Sequence, residues 1–507
     1  MAELTCQLTH PGVNRGLLCP GYQRPLRWSQ KYEKGGGLVS SLSPPPDSTL
    51  GRWPSSSFRL FVFDDSAIFV DSYSGILARV LSIYDGLFNP FRATALSNWK
   101  RSSLLFSVFR FFAGIYQLGC SSDLKIGVAV DEARLAVLSQ LSTSIAGLGT
   151  SIAVRQPDVL LVINMFGLSS SWYDLEDMGL EHYAAAATLI RAEHGMKPSR
   201  HRFYQEFLVY WWMMLSFASS SDAHNLQEPP TLELRSLAEP RMPHPLTGVS
   251  PESQLLLGMV GRLVLTQRRA ILEQNMTSTK LPLILTGSIE DARILERRLL
   301  SLQFPPAHMI MDPGDTHTSV QDLLNIAQAY RSCGLILLYH AFPDLVKDEN
   351  LNVVSTDSTT FAVEADRRRQ RYLASLAFDV LALLEQTSPT SGTRTIEAIL
   401  LVIISGELSL NSDTSQLDLE GTTDEPALDS HSTTGSYSFP NWYTPTAALE
   451  ARATVLARFE RIQAILPFKT IRRMRSLVTQ TWKMADSGFP TFWPDLLIKN
   501  NWQFLMI

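Results

Sequence analysis

The stretch from residue 157 to residue 217 constrains the fold of this chain more than any other stretch. Asp158 can cap the apolar run at 159–168, because a carboxylate accepts hydrogen bonds from the free backbone N–H groups of a helix start. Apolar residues recur at helical spacing in 179–194, and Gly195 stands where a helix end favours a positive φ. These patterns predict two successive helices.

A third predicted helix follows Pro198 and carries an aromatic stripe. Its apolar residues are Phe203, Phe207, Tyr210, Trp211, Met214 and Leu215. They follow the i, i+4, i+7, i+8 pattern of one helix face, so other helices must cover them. Aromatic residues at this spacing are typical of packing, and we interpret the stripe as the centre of a core rather than as a binding site.

The helical period continues through the rest of the chain from Phe58. Further helices are predicted at 66–84, 97–118, 129–148, 251–274, 288–302, 318–340, 366–385 and 395–404. A turn is expected at Asn89–Pro90, and Thr444 with Pro445 has the pattern of an N-cap and a first helical residue. Two more stripes follow at 455–466 and 471–482. We find no alternating strand runs and no fixed-period repeat, so the predicted fold is all-α, with a large multi-helix domain at 58–507.

Composition limits the compartment and the partners. The 507 residues carry a net charge of −5, which argues against a basic protein that wraps nucleic acid, and only the first 34 residues lean basic. The four cysteines are Cys6, Cys19, Cys120 and Cys333. So few cysteines favour a reducing compartment. The N-terminus has no signal-peptide pattern, and the apolar runs at 104–112 and 399–404 are too short to span a membrane, so no membrane partner is expected.

Two polar segments interrupt the helical pattern. Residues 35–57 are rich in Gly, Pro and Ser, and this composition predicts a flexible linker. Residues 407–445 contain no Lys or Arg and many Ser and Thr, which predicts a disordered acidic insertion. Within it, residues 411–440 are expected to be mobile and to be cut first by protease. The insertion is either an activation segment or a passive loop. The basic run at 367–371 is either a nuclear localisation patch or the solvated face of a helix.

Enzyme function is not expected. Asp64, Asp65 and Asp71 are the paired carboxylates in the most suggestive place, but their spacing does not put three oxygens on one helix face to hold magnesium and a diphosphate. A surface or capping role suits them better. The sequence also lacks a His-x-x-x-His pair, a Gly-x-Ser-x-Gly elbow and a phosphate-binding loop.

The first 34 residues carry the most specific motif. Cys19-Pro-Gly-Tyr is followed by Arg24, Arg27, Trp28 and Lys31. This run resembles the end of a fungal binuclear zinc cluster, in which six thiolates share two zinc ions. The resemblance implies that Cys6 and Cys19 are zinc ligands. It also implies that the cluster is incomplete, because the first half of the motif, with its basic residues, is absent.

Two explanations of the missing cysteines stay open: a reading frame that was truncated or misassembled upstream of Met1, or a family member without a working cluster. The genomic DNA upstream of Met1 distinguishes them. In either case, the chain as written is expected not to bind a stoichiometric pair of zinc ions, since two thiolates do not close even one tetrahedral site. The alternative to the resemblance is that Cys6 and Cys19 are two incidental cysteines in a tail.

Further motifs occur in order along the body of the chain. They are residues 89–92, Trp172 with 179–182, 202–204, 245–250, 329–331, 405–407, 452–458, 482–488 and 501–502. Together they resemble the regulatory domain of fungal-specific transcription factors. The resemblance implies a nuclear regulator of RNA polymerase II genes that contacts the DNA backbone through Arg24, Arg27 and Lys31.

The same resemblance implies DNA and the transcription machinery as partners, and it allows for a small-molecule inducer and a homodimer. An alternative from another class is a helical ligand-sensing or protein-interaction module that does not bind DNA itself. The two hypotheses share the helical body and differ in the first 34 residues.

Overall fold

Helices make up the regular structure of this protein in its computed structural model. The model describes residues 77–507 except for 87, 99–100, 122–123, 148–155, 193–194, 219–222, 224, 230–236, 238, 274–280, 347–357, 411–443 and 490. All of the described residues belong to the unit Phe58–Ile507. The predicted zinc-cluster remnant, the linker at 35–57, the three aspartates at 64, 65 and 71, and residues 411–443 of the insertion lie outside the described residues.

The first half of the described chain contains eight α-helices. They are α1 (Ala78–Val80), α2 (Pro90–Asn98), α3 (Ser103–Cys120), α4 (Leu124–Gly147), α5 (Gln156–Leu168), α6 (Ser170–Tyr173), α7 (Leu180–Ala192) and α8 (Pro198–Ser216). The three helices predicted between residues 157 and 217 therefore correspond to α5, α7 and α8, with the short α6 inserted between the first two.

The second half continues in the same way. Its α-helices are α9 (Pro251–Glu273), α10 (Leu281–Ser301), α11 (Val320–Ala341), α12 (Ser358–Glu385), α13 (Ala398–Ser405), α14 (Pro445–Ile465), α15 (Lys469–Asp486) and α16 (Trp493–Lys499). Short 3-10 helices occupy Ala307–Met309, Pro343–Leu345 and Gly392–Ile396. No strand occurs in the described part, where isolated bridges join Arg241 to Ile310 and His244 to Gly248. The all-α prediction is confirmed.

The turn predicted at Asn89–Pro90 lies just before these residues, because the Asn89 N–H donates to the Gly86 carbonyl at 3.2 Å and Pro90 already begins helix α2. The Asn89 side-chain oxygen accepts hydrogen bonds from the backbone N–H groups of Phe91 (3.0 Å) and Arg92 (3.4 Å). Proline suits the first helical position because its missing N–H would have no partner there. The helix predicted to reach residue 84 ends at Val80.

The start of one central helix differs from the prediction. Asp158 lies in the first turn of α5, which begins at Gln156, rather than at the N-cap. The next long helix, α7, follows Gly179, which has a positive φ of 67°. A Cβ atom at Gly179 would lie 2.2 Å from the backbone oxygen of Gly167, so close packing as well as φ requires glycine there.

Several helices begin earlier than their apolar period suggests. Helix α4 begins at Leu124 rather than at residue 129, and its first turns expose Leu124 (87%) and Val128 (59%). Apolar side chains on the solvent side obscure the one-sided pattern on which the prediction rests. Helices α10 and α12 likewise begin before their predicted starts at 288 and 366.

The core is centred on α8, as the aromatic stripe predicts. Trp211 and Trp212 are fully buried, and α8 contacts α5, α7 and α9. Tyr183 of α7 meets the Trp211 ring edge to face, with the ring centres 5.5 Å apart. A Cβ atom at Gly167 of α5 would lie 2.3 Å from the Trp211 ring, so the glycine makes room for the indole.

Helix α13 is the central buried helix of the C-terminal half. All eight of its residues are buried, and α11, α12, α14 and α15 pack around it. The predicted stripes on α14 and α15 face this core, since Val455, Phe459, Ile471 and Met474 are fully buried. The Thr444 side chain accepts a hydrogen bond from the Ala447 N–H and caps α14, as predicted.

One helix within the described residues, α3, is long and apolar enough to cross a membrane by length and composition. Half of that helix is buried against the rest of the protein. A buried core helix of this composition satisfies the same criterion, so the finding is weak support for a membrane span.

Candidate functional site

The predicted metal ligands and DNA contacts lie outside the described residues. Cys6, Cys19, Arg24, Arg27 and Lys31 therefore stay predictions from the sequence. Among the described residues, no group of three or more His, Cys, Asp or Glu side chains could hold a metal ion.

The two described cysteines differ in environment. Cys120 is exposed at the end of α3, whereas Cys333 is buried in α11. Burial raises the pKa of the Cys333 thiol far above its ordinary value, because the apolar core disfavours the thiolate. Cys333 therefore behaves as a core residue rather than as a metal ligand or a nucleophile.

A cluster of charged side chains surrounds the N-terminus of α13. Glu397 is the N-cap residue of this helix and is almost completely buried. The preceding 3-10 helix, Gly392–Ile396, begins where the Ser391 side chain accepts a hydrogen bond from the Thr393 N–H. This local fold holds Arg394 beside the cluster, with its Nε donating to the Ser391 carbonyl at 2.8 Å.

Arg458 of α14 is the partner of Glu397. Its Nη2 donates to the Glu397 carboxylate and to the Leu384 carbonyl, both at 2.9 Å, and to the Thr387 hydroxyl at 3.4 Å. Burial raises the pKa of Glu397, because a carboxylate loses its hydration there, and the nearby Arg458 opposes the shift. The ion pair and its hydrogen bonds therefore join the end of α12 and the interior of α14 to the start of α13.

A cavity of about 200 Å³ opens beside this ion pair. Its charged lining consists of Glu385, Arg394, Glu397, Arg458 and Arg461. The remaining lining residues include neither a histidine nor a cysteine. The arrangement therefore offers charge and hydrogen-bond donors to a ligand rather than a nucleophile with its base.

A larger and more open cleft of about 660 Å³ lies between α4, α15 and the C-terminal residues. Tyr173 and Asp131 line it and are hydrogen-bonded to each other, and burial together with this bond raises the pKa of Tyr173 to about 12. Arg473 lies over the Trp502 ring, 4.8 Å from its centre. Both signs of charge line this cleft, so it shows no single chemical preference.

Arg452 brings three of the sequence motifs together. Its guanidinium donates two hydrogen bonds to the Asp486 carboxylate (2.7 and 2.8 Å) and one to the Leu408 carbonyl (2.7 Å). The same group lies 4.9 Å from the centre of the Trp482 ring, whose Nε1 donates to the Ser405 carbonyl at 2.8 Å. The motifs at 405–407, 452–458 and 482–488 are therefore one structural unit.

The same unit changes the start of the predicted insertion. Leu408 is fully buried, and Glu407 lies 2.8 Å from the Nδ1 atom of His340 on α11. Both residues were assigned to a disordered acidic insertion because they begin a long polar segment. Their contacts show that residues 407 and 408 belong to the helical core.

His244 organises the motif at 245–250. Its Nδ1 accepts hydrogen bonds from the Leu246 and Thr247 N–H groups, both at 3.2 Å, and its Nε2 donates to the Phe203 carbonyl of α8 at 3.1 Å. Burial lowers the pKa of His244 to about 3, since the protonated ring would lose its hydration. Sequence reasoning did not identify this residue, which precedes its motif by one position.

Part of the basic run at 367–371 is engaged within the protein. Arg369 donates to the Asp366 carboxylate (2.5 Å) one helical turn away and to the His340 carbonyl (3.2 Å) of α11. At least one cation of the basic run, Arg369, therefore stabilises the packing of α12 on α11.

Comparison with protein families matches residues 68–507 to the fungal specific transcription factor domain. The match begins before the described residues and includes every helix of the structure. Comparisons with curated proteins and with solved structures find no significant match. The matched family is one of transcription factor domains and not of enzymes. This chain therefore belongs to the fungal specific transcription factor domain family.

Proposed function

We propose that this protein is a nuclear regulator of RNA polymerase II genes in a fungus and that its helical domain controls its activity. The observation that carries the proposal is the family match over residues 68–507, which is almost the whole helical body. The contacts of Arg452 with Asp486 and Leu408 support it, because they join motifs on which the resemblance rests into one buried unit. The transcription machinery is the partner that this role requires.

A transcription assay tests this role directly. The full chain is fused to an unrelated DNA-binding domain and expressed in a fungal cell that carries a matching reporter gene. We expect reporter transcription to rise or fall relative to the DNA-binding domain alone. A fusion that is expressed, enters the nucleus and leaves transcription unchanged contradicts the proposal.

We propose separately that this chain neither binds a stoichiometric pair of zinc ions nor recognises a specific DNA site. Cys6 and Cys19 supply two of the four thiolates of one closed tetrahedral zinc site, and the described residues add no metal-binding group. The donor set therefore does not fit a two-zinc cluster. Arg24, Arg27 and Lys31 still offer attraction to DNA phosphates, but this attraction is weak, salt-sensitive and independent of sequence.

Elemental analysis beside a gel-shift titration at two salt concentrations tests this part. The matched comparison is a chimera in which a complete six-cysteine cluster replaces residues 1–34. We expect two zinc ions and sequence-selective binding from the chimera, and neither from the chain as written. Two zinc ions per chain with salt-resistant, selective binding by the unmodified protein would show that other ligands, such as His10, complete the cluster.

The second candidate function is a helical ligand-sensing or protein-interaction module that does not bind DNA itself. The cavity beside Glu397 and Arg458 favours it, because a cationic pocket within a helical regulatory domain suits a small ligand. The chimera distinguishes the two functions. If the complete cluster gives selective DNA binding but no regulation of a target gene, the module is the better description.

A further inference from the structure

We propose that the cavity between the end of α12, the 3-10 helix Gly392–Ile396 and α14 is a binding site for a small organic carboxylate. The proposal concerns binding by the folded chain and does not depend on the role in transcription. It rests on the charge of the lining, on the hydrogen-bond donors that Arg394 and Arg461 offer and on the size of the cavity.

The lining has an excess of positive charge. Three arginines, Arg394, Arg458 and Arg461, face two glutamates, Glu385 and Glu397. The Glu397 carboxylate is already bonded to Arg458 at 2.9 Å, so this pair neutralises itself. The remaining charges are the two cations of Arg394 and Arg461 and the single carboxylate of Glu385. The lining therefore has an excess of positive charge that is complementary to an anion.

Two of these arginines have hydrogen-bond donors to offer. Arg394 uses its Nε on the Ser391 carbonyl, and no ion pair with Arg394 is found among the described residues. Arg461 is exposed and has neither a hydrogen bond nor an ion pair within the described part of the chain. A planar guanidinium offers paired N–H groups whose spacing matches the two oxygens of a carboxylate.

The size of the cavity selects the class of carboxylate. A volume of about 200 Å³ equals the share of roughly six or seven water molecules in the liquid. This space admits a carboxylic acid of a few carbon atoms. The site thus fits a small mono- or dicarboxylate of the kind that cells hold as metabolites.

Binding to the full chain is measured by calorimetric titration and by thermal melting at fixed ionic strength. The probes are acetate, succinate and citrate, with neutral succinamide and inorganic phosphate as comparisons. We expect saturable binding of at least one of the three carboxylates and a melting temperature higher by about 2 °C or more at saturation, because the ligand binds only the folded protein. Succinamide is expected to have no effect.

Three variants locate the binding. Arg461→Gln and Arg394→Gln remove one cation each from the lining and are expected to weaken carboxylate binding about tenfold or more. Arg475→Gln is the matched control, because Arg475 lies on neighbouring α15 and pairs with exposed Glu460 outside the cavity. The control is expected to bind as the wild type does.

The proposal fails if none of the three carboxylates binds saturably. It also fails if only phosphate binds, if succinamide stabilises the protein as much as succinate does, or if Arg475→Gln weakens binding as much as Arg461→Gln. Melting curves of the ligand-free variants verify that each one is folded before its binding is compared.

Discussion

Helix α8 and the Glu397–Arg458 pair are both almost excluded from water, yet opposite interactions stabilise them. Trp211 of α8 packs against the Tyr183 ring and Gly167, and burial itself supplies its stabilisation. Glu397 and Arg458 lose their hydration on burial, and the ion pair between them compensates for this loss together with the Leu384 carbonyl and the Thr387 hydroxyl. A substitution that removes side-chain volume therefore destabilises the first region, and a substitution that removes one charged partner destabilises the second.

The two regions also differ in how they meet their partners. Every residue from 206 to 216 of α8 is buried, so this part of the helix is surrounded by the core on all sides rather than along the one face that the aromatic stripe predicts. Glu397 and Arg458 are 61 residues apart and meet only because α14 returns to the start of α13. The buried residues of α8 are thus continuous in the sequence, whereas the ion pair depends on the packing of several helices.

The largest effect is expected for truncation at the apolar centre. Trp211→Ala should reduce the free energy of unfolding by about 4–5 kcal/mol, because a fully buried indole leaves a cavity that rigid neighbours cannot fill. Chemical denaturation followed by circular dichroism measures the change. Leu124→Ala is the control, since Leu124 is 87% exposed, and its curve should match the wild type. Matching curves for Trp211→Ala and the wild type would mean that α8 is not the centre of the core.

The next effect tests whether the ion pair behaves differently from α8. Glu397→Leu should cost about 3–4 kcal/mol, because it leaves the Arg458 charge buried without its partner. Adding Arg458→Met should recover part of this loss, since the remaining charge is then also removed. A double variant less stable than Glu397→Leu would mean that Arg458 stabilises the protein mainly through Leu384 and Thr387.

The difference between the regions explains what the sequence could predict. The all-α fold, the burial of Phe207 and Trp211 and the cap at Thr444 follow from local periods and local hydrogen bonds. The early start of α4 was missed because Leu124 and Val128 are apolar but exposed. Each of these predictions, correct or not, depends on residues that lie within about one or two helical turns of each other in the sequence.

The candidate site could not be predicted in the same way. The sequence places Glu397 next to an apolar run and Arg458 within an ordinary amphipathic helix, and neither position has a local pattern that indicates a pocket. Arg452 was noticed as part of a motif, but its bonds to Asp486 and Leu408 span separations that no period encodes. Only the tertiary packing brings these charges together.

His244 shares a feature with each of the two regions: it is buried against α8, and, like Glu397 and Arg458, it is a titratable group that loses its hydration on burial. Its pKa is lowered from 6.5 to about 3, so between these values the unfolded chain binds a proton that the folded protein does not. Stability therefore falls as the pH decreases through this window, by about 3 kcal/mol between pH 7 and pH 4 from this residue.

Denaturation curves at several pH values measure this dependence. In His244→Asn the amide oxygen can still accept from the N–H groups of the turn, but the residue no longer titrates. The variant should be less stable at pH 7, because the donor to the Phe203 carbonyl is lost, and its stability should fall less steeply toward pH 4. An unchanged slope would show that other groups cause the pH dependence.

The smallest effect is expected for an exposed ion pair on the same helices as the buried one. Arg475 of α15 donates to Glu460 of α14 at 3.0 Å, and the side chains are 39% and 62% exposed. Water and salt screen such a pair, and both side chains lose rotamer freedom to form it, so Arg475→Gln should cost about 0.2–1 kcal/mol. Because screening by salt is the reason, the difference from wild type should shrink further in 1 M NaCl. If Arg475→Gln instead reduces the free energy of unfolding about as much as Glu397→Leu does, then exposure does not determine how strongly these ion pairs stabilise α14 and its neighbours. The contrast between the buried and the exposed pair would then be wrong.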